Sequence, residues 1–340
     1  MAQDLLAGIS EDYYQISEAV LSSFPKYRLP LDLYLLQEKV VQLVLYSKKD
    51  SRLSNEQVEE ISRLVQEGLL FVSRADHPIY SKHIVKQLDL VLLDANLKEA
   101  EIADIFLQAL TMRLEEFFEQ PVKPAFERLH QDAMVLTEYL WADKHRIKLF
   151  MRRLFKGDHT LARQTLNTLA AGLWIFMHQK GDELTRPELN NYALGFLLHD
   201  VGMSKVPSFI LGKTTQLLPD DRDKIHKHVL TGAQVAHKLD LMQQDIKAAC
   251  LEHHERLDGT GYPQKLKADR MTRMGMLCAV ADSFAAMIQK RPYAAAKDPL
   301  QAAKELMEDV QRYEKQYTAP LYTALVTGEF GKSVPLGKAD

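Results

Sequence analysis

The spacing of apolar residues changes character near residue 96. Before that point they gather in short, nearly unbroken runs: Leu31 to Leu36 (LDLYLL), Val40 to Tyr46 (VVQLVLY) and Leu69 to Arg74 (LLFVSR). Each run is of strand length and is rich in aliphatic and aromatic side chains. Between the second and third, Val58, Ile61, Leu64 and Val65 recur at helical spacing. Ser54 and Gln57 stand at a capping-box separation ahead of them, and Gly68 supplies a stop. Residues 1–95 therefore read as a small α/β accessory module built around a β-α-β unit. From Asn96 the period is helical, with Ile102, Ile105, Phe106, Leu110, Leu114 and Phe117 forming one stripe that Pro121 and Pro124 interrupt. A second long pattern runs from Phe126 to Leu154. Residues 96–150 are expected to be connecting long helices.

A chain of 340 residues is long enough for two domains, each with its own core. No stretch of eighteen apolar residues occurs and no charged-then-apolar leader follows Met1, so a soluble cytoplasmic protein without a membrane span is expected. Cys250 and Cys278 are too few for a disulfide framework and sit in apolar helical patterns, which makes them core thiols. A net charge of −3 gives no general attraction to DNA, RNA or anionic lipid, so an anionic ligand would have to be held by a local site. The basic stretch Lys144, His145, Arg146, Lys148, Arg152, Arg153 and Lys156 reads as a solvated helix face.

Candidate chemistry is concentrated later in the chain. Six of the twelve histidines lie between His199 and His254, in company with carboxylates. His199 and Asp200 follow the apolar residues Leu197 and Leu198. His228 lies in KHVLTGA, His253 and His254 in EHHERLDGTGYP, and Asp282 in AVADSF. An adjacent histidine and carboxylate can serve two neighbouring cations if the carboxylate bridges them. Four imidazoles with two carboxylates form a mixed nitrogen and oxygen set suited to iron, manganese, nickel or zinc rather than calcium. Each pair alone is weak evidence. Asp282 in an otherwise apolar helix is more telling, because an unpartnered buried carboxylate costs several kcal/mol.

These segments resemble the HD-GYP family. The block HDVGMSKVPSFILGKTTQLLPDDRDKIHKHVLTGA follows that family's HD-x-G-K-x-x-I-P pattern and its later histidine, here His228. HHERLDGTGYP reproduces its namesake segment through Gly261, Tyr262 and Pro263, and ADSFAAM with RPY matches its closing block through Asp282, Arg291 and Tyr293. The resemblance covers about a hundred residues, from about Asn190 to Tyr293. It implies that residues 151–330 form an all-helical HD-type phosphohydrolase domain, giving a mainly α protein preceded by the small α/β domain. It also implies two divalent metal ions, iron or manganese first, and hydrolysis of cyclic di-GMP to the linear dinucleotide pGpG and GMP. By matching position, His199, Asp200, His228, His253, His254 and Asp282 would hold the metals, with Asp200 bridging and taking part in catalysis. Tyr262 and Arg291 would face a cyclic dinucleotide, although packing within its own turn accounts equally well for Tyr262. A homodimer or a signalling partner protein would fit such a module.

Two positions depart from the family pattern. An earlier histidine ligand falls here on Asn167, and the stretch from Thr160 to Met177 contains no His, Asp or Glu. On a continuous helix His159 and His178 would each lie over ~10 Å from that position. Met203 stands where the family has lysine; Lys205 is the candidate to supply that charge, although two helical positions turn its side chain ~200° away. One metal site is therefore expected to be weak and activity impaired. The alternative is an inactive module acting as a cyclic di-GMP receptor or interaction domain.

Overall fold

The computed structural model describes residues 12–37, 40–76, 79, 85, 88–93, 97–213, 218–291 and 294–331. The chain divides into two compact units, Met1–Ala109 and Leu110–Asp340. The division falls within the helix Glu99–Glu119.

The first unit carries a four-stranded antiparallel sheet, β1 (Tyr13–Gln15), β2 (Leu33–Gln37), β3 (Gln42–Ser47) and β4 (Leu70–Ser73), in the order β1-β4-β2-β3. Three strands follow the three apolar runs. The short β1 has no such run and exists through its pairing with β4. Its helices include α1 (Glu18–Ser23) and α2 (Asn55–Gln66). Ser54 and Gln57 make the reciprocal capping box that the sequence suggests, and Val58, Ile61, Leu64 and Val65 are buried. Gly68 ends α2 with a φ of 74°, in the left-handed region that glycine tolerates best.

Most described residues of the second unit are helical. Helix α3 (Glu99–Glu119), which carries the division between the units, ends two residues before Pro121, and α4 (Lys123–Ala142) follows with Pro124 in its first turn. The long pattern from Phe126 to Leu154 is not one helix. Asp143 is extended and accepts a hydrogen bond from the His145 backbone, so the chain turns there before the short helix Ile147–Met151. That turn puts part of the basic stretch to structural use. Arg146 lies 4.3 Å over the Tyr139 ring and donates to the Tyr139 carbonyl, Arg152 donates to the Phe330 carbonyl, and Arg153 is 4% exposed. The expected solvated face is thus partly an inward one.

Helix α5 (Leu161–Lys180) is buried around almost its whole circumference from Ala162 to Met177, as expected for a central helix. Helix α6 (Arg186–Leu198) starts at the Thr185/Glu188 capping box and packs on α5, where a Cβ on Gly172 would lie 2.4 Å from the Phe196 ring. The remaining scaffold is α7 (His228–Lys238), α8 (Gln244–Glu252), α9 (Arg273–Met287), α10 (Pro299–Glu308) and α11 (Lys315–Val326). Helix α9 packs along α5 and α8. Cys250 and Cys278 are free and buried, as expected of core thiols. Among the described residues no helix is long and apolar enough to cross a membrane.

Candidate metal centre

Four parts of the second unit deliver the clustered residues: the end of α6 (His199, Asp200), the start of α7 (His228), the end of α8 (His253, His254) and the middle of α9 (Asp282). Close backbone approach makes this convergence possible. A Cβ on Gly202 would lie 1.9 Å from the His228 carbonyl oxygen, so only glycine allows the turn after Asp200 to touch α7. The loop after His254 is held from inside by Glu255, which is fully buried and accepts from the backbone N–H groups of Gln264 and Leu266 at 2.7 and 3.0 Å.

The side chains form two groups of donor atoms, Asp200 with His228, His253 and His254, and Asp200 with His199 and Asp282, all within 4.8 Å of one another in each group. Asp200 belongs to both. Its Oδ1 lies 3.2 Å from His228 Nε2 and 3.5 Å from His253 Nε2, while its Oδ2 lies 3.6 Å from His199 Nε2. The two carboxylate oxygens therefore face different groups, the geometry needed for a bridging ligand.

Hydrogen bonds fix the histidine tautomers. Nδ1 of His199, His228 and His253 lies 2.7, 2.6 and 2.7 Å from the carbonyl oxygens of Phe196, Ile225 and Ala249. A carbonyl only accepts, so each Nδ1 carries the proton and, in a neutral ring, each Nε2 turns a lone pair inward. The Nε2 atoms of His228 and His253 are then only 3.1 Å apart beside a carboxylate oxygen, and the buried His199 Nε2 has no hydrogen-bond partner. Inward lone pairs crowded around a shared carboxylate are what a bound cation satisfies; the residues fit divalent metal ions.

The protonation balance carries the same charge logic. Burial pushes His199 down, but the Asp200 charge and the contact with Asp282 override it and hold its pKa up at about 9. Burial also works against the Asp200 charge, yet the surrounding histidines, His199 first, hold its pKa well below the usual carboxylate range. His254 is pushed well below the ordinary histidine value by burial and then by the neighbouring His253 charge. A dicarboxylate core thus prefers cationic company while the outer imidazole stays neutral and ready to donate a lone pair.

Tyr262 lies inside the cluster, stacked on His254 on one face (4.7 Å between centroids) and on His226 on the other (4.0 Å). Packing against two imidazoles is thus part of its structural setting. His226 was not among the residues singled out, because an exposed histidine at the end of a short polar helix leaves no mark in the sequence. Arg291 reaches the other end, its guanidinium Nη2 donating to Gln164 Oε1 at 2.6 Å, and Gln164 Nε2 donates to Asp282 Oδ1 at 2.6 Å. Tyr293, in the closing block, lies outside the described residues. Met203 is half-buried and Lys205 exposed on the 3-10 turn Val201–Lys205.

The position adjoining Asp282 is held by Gln164, not by Asn167. The Asn167 amide is 1% exposed and pairs with the Phe155 backbone N–H and carbonyl, both at 2.8 Å, so it serves the scaffold. The count along a continuous helix does not apply to His159. Helix α5 starts only at Leu161, and the preceding turn brings His159 Nε2 to 2.7 Å from Gln164 Oε1. His178 does lie elsewhere, stacked on Trp174.

Residues 162–316 match the HD domain family. A cyclic di-GMP phosphodiesterase of Pseudomonas aeruginosa is 32% identical over 126 residues, which is 37% of this chain and 30% of that protein. A cyclic di-GMP phosphodiesterase of Thermotoga maritima is 37% identical over 111 residues, 32% of this chain and 30% of its own length. A 3'3'-cGAMP-specific phosphodiesterase of Vibrio cholerae is 36% identical over 120 residues, 34% of this chain and 22% of that protein. The chain thus spans a third or less of the length of these relatives. An HDG"Y"P protein from Bdellovibrio bacteriovorus shares the fold with a TM-score of 0.58 at 20% identity, over 93% of this chain and 100% of that one. Residues 162–316, which carry the two donor groups sharing Asp200 and the HHERLDGTGYP segment, are thus similar to the HD domain family.

Proposed function

We propose that the chain is a cytoplasmic metal-dependent phosphodiesterase that hydrolyses cyclic di-GMP to pGpG and GMP, with one of two metal sites impaired. The observation that carries the proposal is the single carboxylate, Asp200, shared by two groups of metal-ligating atoms. Two such ions, iron or manganese, would polarise phosphodiester oxygens and lower the pKa of a water between them. His228, His253, His254 and Asp200 would hold one, and His199, Asp200 and Asp282 the other. Arg291, anchored beside Asp282, would pair with a phosphate oxygen. Both faces of the Tyr262 ring are covered, so it would meet the nucleotide only through its edge or hydroxyl. Lys205 would supply the positive charge that Met203 cannot, reaching from the exposed turn.

Gln164, an amide rather than an imidazole beside Asp282, and Met203 in place of lysine favour a second reading, an inactive receptor for the same cyclic dinucleotide. Incubation of the purified chain with manganese or ferrous iron and cyclic di-GMP, followed by nucleotide chromatography, separates the two. Appearance of pGpG or GMP supports the enzyme. Binding without products supports the receptor, and absence of both sinks each of them. A parallel run with 3'3'-cGAMP tests whether the relatives' second substrate class is shared.

A further inference from the structure

Gln164 lies on the first turns of α5, is 5% exposed, and makes more polar contacts inside the centre than any one hydrogen bond requires. Its Nε2 donates to Asp282 Oδ1 at 2.6 Å, and its Oε1 accepts from Arg291 Nη2 at 2.6 Å. His159 Nε2 stands 2.7 Å from the same Oε1. The amide can be oriented only one way, because a carboxylate accepts and a guanidinium donates. With the Arg291 N–H and the His159 N–H on it, Oε1 has both lone pairs engaged. Gln164 therefore has no lone pair to spare for a cation, and its part in the site is not that of a metal ligand.

The atoms it joins matter to two different tasks. Asp282 Oδ1 is the oxygen 3.5 Å from His199 Nε2, in the carboxylate-rich donor group. Arg291 is the cation that would grip a phosphate. We propose that Gln164 is a positioning residue that couples these two, so that occupancy of the His199/Asp200/Asp282 group and the grip of Arg291 on a cyclic dinucleotide rise and fall together. The nucleotide half of this proposal rests on the phosphodiesterase reading; the metal half does not. Partners that orient a ligating carboxylate are worth about 10- to 100-fold in metal affinity, and an arginine held in place by an amide loses less freedom when it meets a phosphate.

The test is a double-mutant cycle on the full chain with Gln164→Met, which keeps side-chain volume but removes both amide contacts, Arg291→Met, and the pair together. Manganese titration followed by the signal of free ion is the first readout, and cyclic di-GMP affinity of the manganese-loaded protein by calorimetry is the second. Gln164→Met should weaken the lower-affinity manganese step about tenfold and leave the tighter step unmoved. Arg291→Met should weaken the same step severalfold, and the double variant should be no worse than Gln164→Met alone. Cyclic di-GMP affinity should follow the same non-additive pattern.

A residue that merely fills space would lower the melting temperature and leave the two affinities independent. Additive effects, or a manganese step untouched by Arg291→Met, overturn the coupling, as does a single manganese step in the wild type that Gln164→Met leaves unchanged. If Gln164→Met fails to fold, Arg291→Met alone still decides, since coupling requires it to move manganese binding. If the wild type binds no cyclic di-GMP, the phosphodiesterase reading fails while the manganese cycle still judges Gln164.

Discussion

The two halves of the metal centre are prepared in different ways. On the side of His228 and His253, backbone carbonyls set the tautomers, and Tyr262 stacks on the third imidazole, His254. On the side of His199 and Asp282, a single carbonyl fixes His199, while the remaining orientation comes from Gln164, a side chain that itself depends on Arg291 and His159. Helix ends hold a carbonyl in place at no extra conformational cost, whereas every side chain added to a relay must be ordered separately. The first half should therefore hold its ion tightly and the second loosely.

The largest effect should come from the atom pair that both halves share. Asp200→Asn removes the charge from both groups, and phosphodiesterase turnover should fall on the order of 10³-fold, the upper end for loss of one electrostatic stabiliser. Metal analysis should find both ions depleted; a variant that keeps one ion at wild-type affinity would show that the halves are independent. Next in size is repair of the weaker half. Gln164→His with Met203→Lys places an imidazole beside Asp282 and a charge where the family has one, and should raise turnover by about 10²-fold while adding metal per chain. Full occupancy and turnover in the unaltered protein would mean that this half is not impaired.

A smaller effect probes the other half. Tyr262→Leu takes the stacked ring from between His226 and His254 and should weaken the tighter metal step about tenfold, whereas Tyr262→Phe keeps the stack and should leave that step near the wild-type value. Equal losses in the two variants would assign the effect to the hydroxyl instead. The smallest effect on metal should follow Asn167→Ala. It frees the Phe155 backbone pair at a cost of about 1–3 kcal/mol in stability, visible as a lower melting temperature with metal binding unchanged. Loss of metal in that variant would return Asn167 to the site.

Much of this was legible in the sequence for physical reasons. Periodicity marked β2, β3, β4 and α2, because burying one face of a strand or helix forces a regular spacing on the chain. The residues of the cluster were legible because inward carboxylates and imidazoles are hard to explain in apolar helices unless something compensates them. What could not be seen was whatever depends on where a helix begins and on what lies across from it. Asn167 was singled out by its spacing before His199, and His159 was set aside by counting α5 as continuous; the structure starts α5 at Leu161 and puts Gln164, not Asn167, beside Asp282. The inward turn of Arg153 and the exposed His226 stacked on Tyr262 have no periodic signature.

The sequence by itself determined the set of donor types and the order in which the chain presents them, since ligand chemistry belongs to individual side chains. Only the tertiary structure decided which donors share Asp200, which tautomer each imidazole adopts, and that one amide joins Asp282 to Arg291. Those properties belong to distances between residues as much as 127 positions apart, as Gln164 and Arg291 are, and packing alone sets such distances.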